Sequence, residues 1–147
     1  MYLKRKYMYR HVEEVKMDYK KMAEERNAAN RFPVSNGITV VEISEGYAKA
    51  TLQVTENHTN PVGSVHGGCL FTLADAAASA AAASYGDRIT TVDTSFHYLR
   101  PALKIDQIYA EAYVIKRGRR LTTVDVSVNC GNDVVLCRAF FTCMPLS

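Results

Sequence analysis

The sequence lacks the motifs and the charge pattern of several large functional classes. Its 147 residues carry 18 Lys and Arg against 15 Asp and Glu, so no overall nucleic-acid footprint is present. There is no phosphate-binding glycine fingerprint and no Gly-x-Ser-x-Gly nucleophile elbow. None of its four histidines has a metal-ligand spacing to another His or to Cys. We therefore expect no nucleic-acid partner and no metal site.

Cysteine spacing and charge at the N-terminus bear on the compartment. The chain has no Cys-x-x-Cys pair, and its first ten residues lack the apolar run of a secretory signal. The basic residues there indicate a solvated terminus more than a binding site for an anionic partner. Free thiols without a secretion signal favour the cytoplasm. The cysteines expected to be reduced and buried are Cys69, Cys130, Cys137 and Cys143.

Hydrophobic periodicity predicts one domain at residues 36–147 after a helical extension at residues 1–35. Apolar residues at helical spacing predict a surface helix over residues 11–29, and Pro33 opens a loop after it. Period-two alternation then predicts strands, most of them linked as hairpins. One antiparallel sheet packed on one long helix is an α+β fold. The expected strands cover residues 38–43, 47–54, 90–98, 105–116, 120–130 and 134–143.

An alanine-rich segment predicts the long helix, over residues 67–85. From residue 74 to 83 every residue is alanine except Asp75 and Ser79, so a sheet can approach on all sides and should wrap this helix. The segment is short for a membrane span and holds a charge, which disfavours a membrane helix. A lone buried carboxylate is costly, so Asp75 is predicted to be functional. The alternative is a structural acid hydrogen-bonded to a nearby Thr or Ser, for example Thr72 or Ser79.

A glycine pair, Gly67 and Gly68, begins this helix. Unpaired N–H groups and the positive end of the helix dipole can hold an oxyanion there, although tight packing also explains glycine. Asp75 lies eight residues after Gly67, roughly 12 Å along the helix axis. One substrate carbonyl cannot contact both within a single chain. Two helices antiparallel about a two-fold axis would bring them together, which predicts a homodimer with shared sites.

The glycine pair belongs to a longer motif that resembles a known family. Asn-x-x-Gly-x-x-His-Gly-Gly with an Asp eight residues after the first glycine of the pair is similar to hotdog-fold acyl-CoA thioesterases of the PaaI-like (phenylacetate-pathway) group. The resemblance runs from about residue 38 to the C-terminus and implies an antiparallel sheet wrapped around one central helix. The matching residues are Asn60, Gly63, His66–Gly68, Leu73–Asp75, Thr91, Asp93 and Leu99–Ala102.

The resemblance implies a role for each motif residue. Gly67 would offer its N–H to the thioester carbonyl, and the partner subunit's Asp75 would act as general base or nucleophile. Asn60 would orient water or substrate, and Thr91 would hydrogen-bond the carboxylate or the water. His66 is expected to shape the helix start more than to transfer protons. No cofactor is needed beyond the coenzyme A of the substrate, because a thiolate leaves readily.

Further residues are expected to bind the substrate. A basic cluster at a predicted strand turn is either a solvated tip or a cradle for coenzyme A phosphates, because arginine matches phosphate oxygens in a fork. Central-helix residues would line the acyl pocket, for an aromatic group such as phenylacetyl or a medium-length chain. The predicted binding residues are Gly68, Ser79, Lys116, Arg117, Arg119 and Arg120, and the predicted acyl-pocket residues are Phe71, Ala78, Ala82 and Tyr85.

The function predicted from the sequence is therefore acyl-CoA hydrolysis by a homodimer, with a dimer of dimers expected. Three alternatives stay open at this point. The first is a hotdog domain that senses acyl-CoA without cleaving it, which Asp75 argues against. The second is a hydratase of the same fold, for which an Asp/His pair at other spacing would be expected. The third is a nucleophilic Cys69 at the helix N-terminus, which has no evident base beside it.

Overall fold

The computed structural model of the protein describes residues 16–147. The predicted α+β fold is confirmed, with six strands and a long central helix after two N-terminal helices. Short 3-10 turns lie at Glu56–His58 and Gly131–Asp133. The elements are α1 (Tyr19–Ala29), α2 (Arg31–Ser35), β1 (Ile38–Ser44), β2 (Tyr47–Gln53), α3 (Gly67–Ala83), β3 (Ile89–Tyr98), β4 (Gln107–Arg117), β5 (Thr122–Cys130) and β6 (Val134–Pro145).

The six strands form one antiparallel sheet that wraps α3. The strand order is β1-β2-β4-β5-β6-β3, so β1 and β3 are its edges. Alternate residues of β2 and β5 are buried, as their period-two patterns predict. Alanines of β2 pair with alanines of β4 directly under the alanine helix, at Ala48–Ala112 and Ala50–Ala110. Small side chains on both layers allow the helix to lie close to the sheet.

A β-bulge in β3 decides which of its side chains face the helix. The pairing of β3 with β6 shifts register between Thr91 and Asp93, so Val92 is the extra residue. Before the bulge Thr91 points inward, and after it Phe96 does, although the two are five positions apart. A regular strand would place residues five apart on opposite faces. The bulge therefore puts both side chains against α3.

The N-terminal helices differ from the prediction. Helix α1 begins at Tyr19, because Asp18 caps it by accepting a hydrogen bond from the Lys21 N–H at 3.0 Å. Residues 11–15 of the predicted helix, and the basic first ten residues, lie outside the described residues. The predicted loop at Pro33 is wrong: Pro33 is buried in the short helix α2, where the first turn tolerates proline. No helix among residues 16–147 is long and apolar enough to cross a membrane.

Helix α1 is fixed against the edge strand β1. The Asn27 side chain makes two hydrogen bonds to the backbone of Val40: its Nδ2 donates to the carbonyl at 2.8 Å, and its Oδ1 accepts from the N–H at 2.9 Å. Tyr19, Met22 and Ala23 pack on the core from the same helix face. The amide of Asn27 thus takes the place of a neighbouring strand at this edge, and α1 is held in a defined position.

Candidate active site

Asp75 is the ninth residue of α3 and is partly buried beside β3. Its Oδ1 accepts a hydrogen bond from the Thr91 Oγ1 at 3.1 Å. Burial raises the pKa of Asp75, while the Thr91 hydrogen bond and the charge of Arg26 lower it. The two residues named as examples of partners for a structural acid bond elsewhere: Thr72 donates to the Gly68 carbonyl and Ser79 accepts from Arg26. The nearby threonine that does bond to Asp75 is Thr91. Thr91 contacts the carboxylate as expected.

A cavity of about 670 Å³ lies in front of Asp75. This volume is within the range of small-molecule sites. Besides Asp75, its lining includes Ser79, Thr91, Arg88 and Arg26. Sequence reasoning missed Arg26, although it lies four residues after Met22 on the inward stripe of α1. Ser79, predicted to bind substrate, lines the cavity with its hydroxyl accepting from the Arg26 Nη2 at 2.9 Å.

The N-terminus of α3 offers one free backbone donor. His66 caps the helix, and its Nδ1 accepts from the Gly68 N–H at 2.9 Å. The Gly68 N–H is therefore engaged by His66, and substrate binding by Gly68, which lines a cavity together with His66, stays a prediction. Within the described part of the chain, the Gly67 N–H has no acceptor. Capping is the structural role expected of His66, and proton transfer by it stays a prediction.

Asn60 and Gly67 line a second cavity, of about 320 Å³, together with Tyr98. The Asn60 Oδ1 accepts from the N–H groups of Val62 and Ser64, and its Nδ2 donates to the Ser64 hydroxyl at 2.8 Å. Asn60 therefore shapes its own loop, and orientation of water or substrate stays a prediction. Tyr98, which the sequence did not indicate, donates its hydroxyl to the Gly67 carbonyl at 3.0 Å.

The two cavities have no lining residue in common. Asp75 lies in one and Gly67 in the other, as their spacing on a single helix requires. Within one chain, the Asp75 carboxylate and the free Gly67 N–H therefore do not face the same cavity. The shared dimeric site stays a prediction.

Comparison with known proteins identifies the family. Residues 62–137, just over half of the chain, match the model of the Thioesterase superfamily. The protein belongs to the thioesterase superfamily. It is 34% identical over 92 residues to the acyl-coenzyme A thioesterase PaaI of Escherichia coli, covering 63% of this chain and 66% of that one. The solved structure of E. coli PaaI, from the phenylacetic acid degradation operon, matches with a TM-score of 0.79 over 88% of this chain and 96% of that chain at 25% identity.

Two further relatives agree with this assignment. Human acyl-coenzyme A thioesterase 13 is 34% identical over 104 residues, which is 68% of this chain and 74% of that protein. An Archaeoglobus fulgidus relative is 32% identical over 97 residues, covering 65% of this chain and 63% of that protein. The chain thus spans slightly less than two thirds of the length of the archaeal protein and of PaaI. The predicted PaaI-like group and hotdog fold are confirmed.

In this superfamily member the basic cluster lies at the turn between β4 and β5. The Arg117 Nη2 donates to the Asp87 Oδ2 at 2.9 Å, and its guanidinium lies 4.4 Å from the centre of the Tyr85 ring. Arg117 and Tyr85 are therefore engaged with each other, not with a pocket. The three remaining basic side chains are exposed at the turn: Lys116, Arg119 and Arg120.

Two of the four predicted acyl-pocket residues are enclosed in the core, and the roles of Phe71 and Tyr85 in the pocket stay predictions. Ala78 and Ala82 are buried in the core of the thioesterase domain and line neither cavity. Phe71 packs against Phe96 and Phe141, with ring centres 5.2 and 5.7 Å away. The prediction for the two alanines is wrong because the sheet, not a ligand, fills the space that their small side chains leave.

Two other candidate chemistries gain no support from the described residues. Cys69 is partly buried, and burial raises the pKa of its thiol, which disfavours the thiolate that a nucleophile requires. Within residues 16–147, no three His, Cys, Asp or Glu side chains are grouped to hold a metal ion.

Proposed function

We propose that this protein hydrolyses an acyl-CoA thioester to a free acid and coenzyme A. The observation that carries the proposal is Asp75, a partly buried carboxylate that is hydrogen-bonded by Thr91 at the wall of a large cavity. Two relatives in the same superfamily are named as acyl-coenzyme A thioesterases. An alanine helix in need of packing alone would have no use for an acid at this position.

Gly67 and Asp75 divide the chemistry between them. The free Gly67 N–H, at the positive end of the α3 dipole, stabilises the carbonyl oxygen as it becomes negative. Asp75 takes a proton from water while the water oxygen bonds to the carbonyl carbon, or it attacks that carbon itself. The C–S bond then breaks, and coenzyme A leaves as a thiolate. After attack by water, Asp75 holds the proton that the water lost and returns it to the thiolate or to solvent; after attack by Asp75, a water molecule hydrolyses the mixed anhydride and releases the free acid. This chemistry requires neither a metal nor a cofactor.

A second copy of the chain completes each site. β3 is an edge strand with unpaired backbone groups, and it carries the half-exposed Val92. On the neighbouring β6, the large apolar residues Phe140 and Met144 are 49% and 39% exposed. Pairing of β3 with its symmetry mate would satisfy the backbone groups of this edge, while Phe140 and Met144 lie on the outer face of the sheet beside it. Asp75 lies directly beneath β3 through Thr91, so the pairing sets the Asp75 cavity at the subunit boundary.

The β4–β5 turn holds the coenzyme A phosphates in this proposal. Lys116, Arg119 and Arg120 are exposed there, while Arg117 braces the turn through Asp87. Their charges attract phosphate, and the attraction weakens as salt screens it. The compartment proposed is the cytoplasm, because all four cysteines are free.

Thiol release from a panel of acyl-CoA substrates tests the activity. The panel contains phenylacetyl-CoA, benzoyl-CoA and straight-chain acyl-CoAs of increasing length, and a thiol reagent detects coenzyme A. Release from at least one substrate is expected. Binding of acyl-CoA without thiol release would instead make the protein a sensor.

The variant Asp75→Asn tests the assignment of the carboxylate. It keeps the side-chain shape and an acceptor for Thr91, so the fold and the dimer are expected to persist. Its kcat should fall by about 10²-fold or more, because removal of a general base or nucleophile has an effect of this order. Gel filtration and thermal melting serve as controls. Activity near that of the wild type would refute the role of Asp75.

A further inference from the structure

Arg26 reaches the proposed active site from a helix outside the matched family segment. The family match begins at residue 62, whereas Arg26 lies on α1. Its Nη2 donates to the Ser79 hydroxyl, and Ser79 lies one helical turn after Asp75 on α3. The guanidinium is therefore anchored roughly 6 Å along the helix axis from the level of the carboxylate. Both side chains line the same cavity.

The position of Arg26 is unfavourable for a charge unless an anion is nearby. Burial lowers the pKa of Arg26, while the Asp75 charge raises it. Its Nε is buried and has no hydrogen-bond partner among residues 16–147. A buried donor without a partner is energetically costly. An arginine directed to solvent would avoid this cost, so the inward position requires a compensating role.

The anchoring of α1 makes this contact a fixed feature. Asn27, the next residue, holds the helix to the backbone of β1 through two hydrogen bonds, and Asp18 caps its start. Tyr19 and Met22 pack on the core from the same face. These contacts hold α1 in one position, so the backbone that carries Arg26 is fixed relative to α3.

We propose that Arg26 is a positioning residue that stabilises the Asp75 anion while a substrate fills the cavity. This inference rests on the proposed function. When a thioester displaces water, the effective dielectric around Asp75 falls, and a carboxylate there tends to take up a proton and stop acting as base or nucleophile. A fixed cation opposes this, and its influence grows as water leaves.

The charged and titratable groups around Asp75 set the direction of the expected pH effect. Arg26 approaches from α1, Thr91 from β3 and Arg88 from the segment after α3. From β6, the Cys143 thiol lies 3.9 Å from the Thr91 hydroxyl. Arg26 lowers the pKa of Asp75, so its removal raises that pKa. At a given pH less carboxylate is then ionised, so the acid limb moves to higher pH both for kcat/KM, which reports the free enzyme, and for kcat, which reports the substrate complex.

Two neutral variants and one charged variant test the role. Arg26→Met removes the charge, Arg26→Gln removes it but keeps a donor for Ser79, and Arg26→Lys keeps it. Lys20→Met, at an exposed position of the same helix, removes one positive charge away from the site. We expect the acid limb of both neutral variants at higher pH, with activity recovering in alkali. Arg26→Lys should return the limb toward the wild-type position, and Lys20→Met should leave it unchanged.

Direct titration of the Asp75 carboxyl by carbon-13 NMR separates this inference from the proposed function. The signal is assigned by its loss in Asp75→Asn. A wild-type protein that releases no thiol would refute the proposed function, while the carboxyl titration still decides the role of Arg26. Titration at higher pH in Arg26→Gln than in the wild type supports the proposal. Identical titration in these two proteins, or an equal shift in Lys20→Met, overturns it.

Discussion

Replacing Gly67 by proline removes one hydrogen-bond donor from the proposed site and leaves the helix in place. Gly67 is the first residue of α3, where proline is well tolerated because the N–H has no helical partner. His66 precedes it with φ −58° and ψ 135°, the extended conformation that a residue before proline prefers. The φ of Gly67 does not lie in the left-handed region, which proline cannot adopt. We expect the variant to fold with α3 intact.

The steric part of the change can be separated from the loss of the donor. A Cβ at position 67 would lie 3.3 Å from two ring carbons of Tyr98, slightly closer than usual. Tyr98 is 55% exposed, so its ring can move by the few tenths of an ångström required. Gly67→Ala adds the same Cβ and keeps the N–H. The difference between the proline and alanine variants therefore measures the loss of the donor together with the proline Cδ that replaces its hydrogen.

Loss of one oxyanion donor lowers kcat by about 10²–10³-fold, or about 2.7–4 kcal/mol of transition-state stabilisation. We expect a difference of this size between Gly67→Pro and Gly67→Ala in thiol release from the best acyl-CoA substrate. Circular dichroism and thermal melting verify that α3 is retained. A proline variant within about threefold of the alanine variant would refute an oxyanion role for this N–H.

The proline variant also tests whether the sites are shared. Asp75→Asn chains and Gly67→Pro chains are unfolded together in equal amounts and refolded. If each site takes Asp75 from one chain and the N–H from the other, random pairing gives about one quarter of the sites both groups, and about one quarter of wild-type activity. Sites built within one chain would gain nothing from mixing. Absence of recovery in mixed dimers, detected by a tag on one chain, would overturn the shared site.

Two further predictions follow from other contacts of the site. Thr91→Val keeps the shape and removes a hydrogen bond that lowers the pKa of Asp75. Because hydrogen bonds to charged groups contribute about 1.5–3 kcal/mol, kcat/KM on the acid limb should fall by about 10- to 100-fold. Its acid limb should also move to higher pH, and an unmoved limb would contradict this. Arg119→Ala combined with Arg120→Ala should raise KM much more than it lowers kcat and weaken the salt dependence of KM. An unchanged KM would contradict phosphate binding by these arginines and favour a turn that is only exposed to solvent.

The regular parts of the fold could be predicted because their signals are local. Alternation in β2 and β5 depends on neighbouring residues alone, and each strand lies where its pattern begins and ends to within a few residues. The helix ends two residues earlier than expected, at Ala83, before a glycine with φ +96°. This glycine, Gly86, has the left-handed conformation expected just after a helix.

The contacts missed from the sequence are those that depend on tertiary packing. Arg26 and Ser79 are 53 positions apart, and an arginine on a half-polar helix is indistinguishable from a solvent-facing one by pattern. Tyr98 meets Gly67 across 31 positions. The bulge at Val92 places Thr91 on the same face of β3 as Phe96. A period-two pattern read from the sequence does not predict where such an extra residue occurs. The family motif therefore indicated Thr91, whereas its physical position required the structure.

Asp75 decreases the stability of the fold that contains it. Burial raises its pKa above the usual 3.8, so as pH rises the unfolded chain loses this proton first, and the free energy of unfolding decreases until the folded carboxyl has ionised as well. The full loss of stability is reached once the pH exceeds the pKa of Asp75 in the folded protein. Thr91 and Arg26 make this loss smaller, because both stabilise the carboxylate anion. Alanine at this position would remove the penalty and suit the helix better. The stability of the fold therefore does not explain why an acid stands at this position, whereas the proposed thioester hydrolysis does.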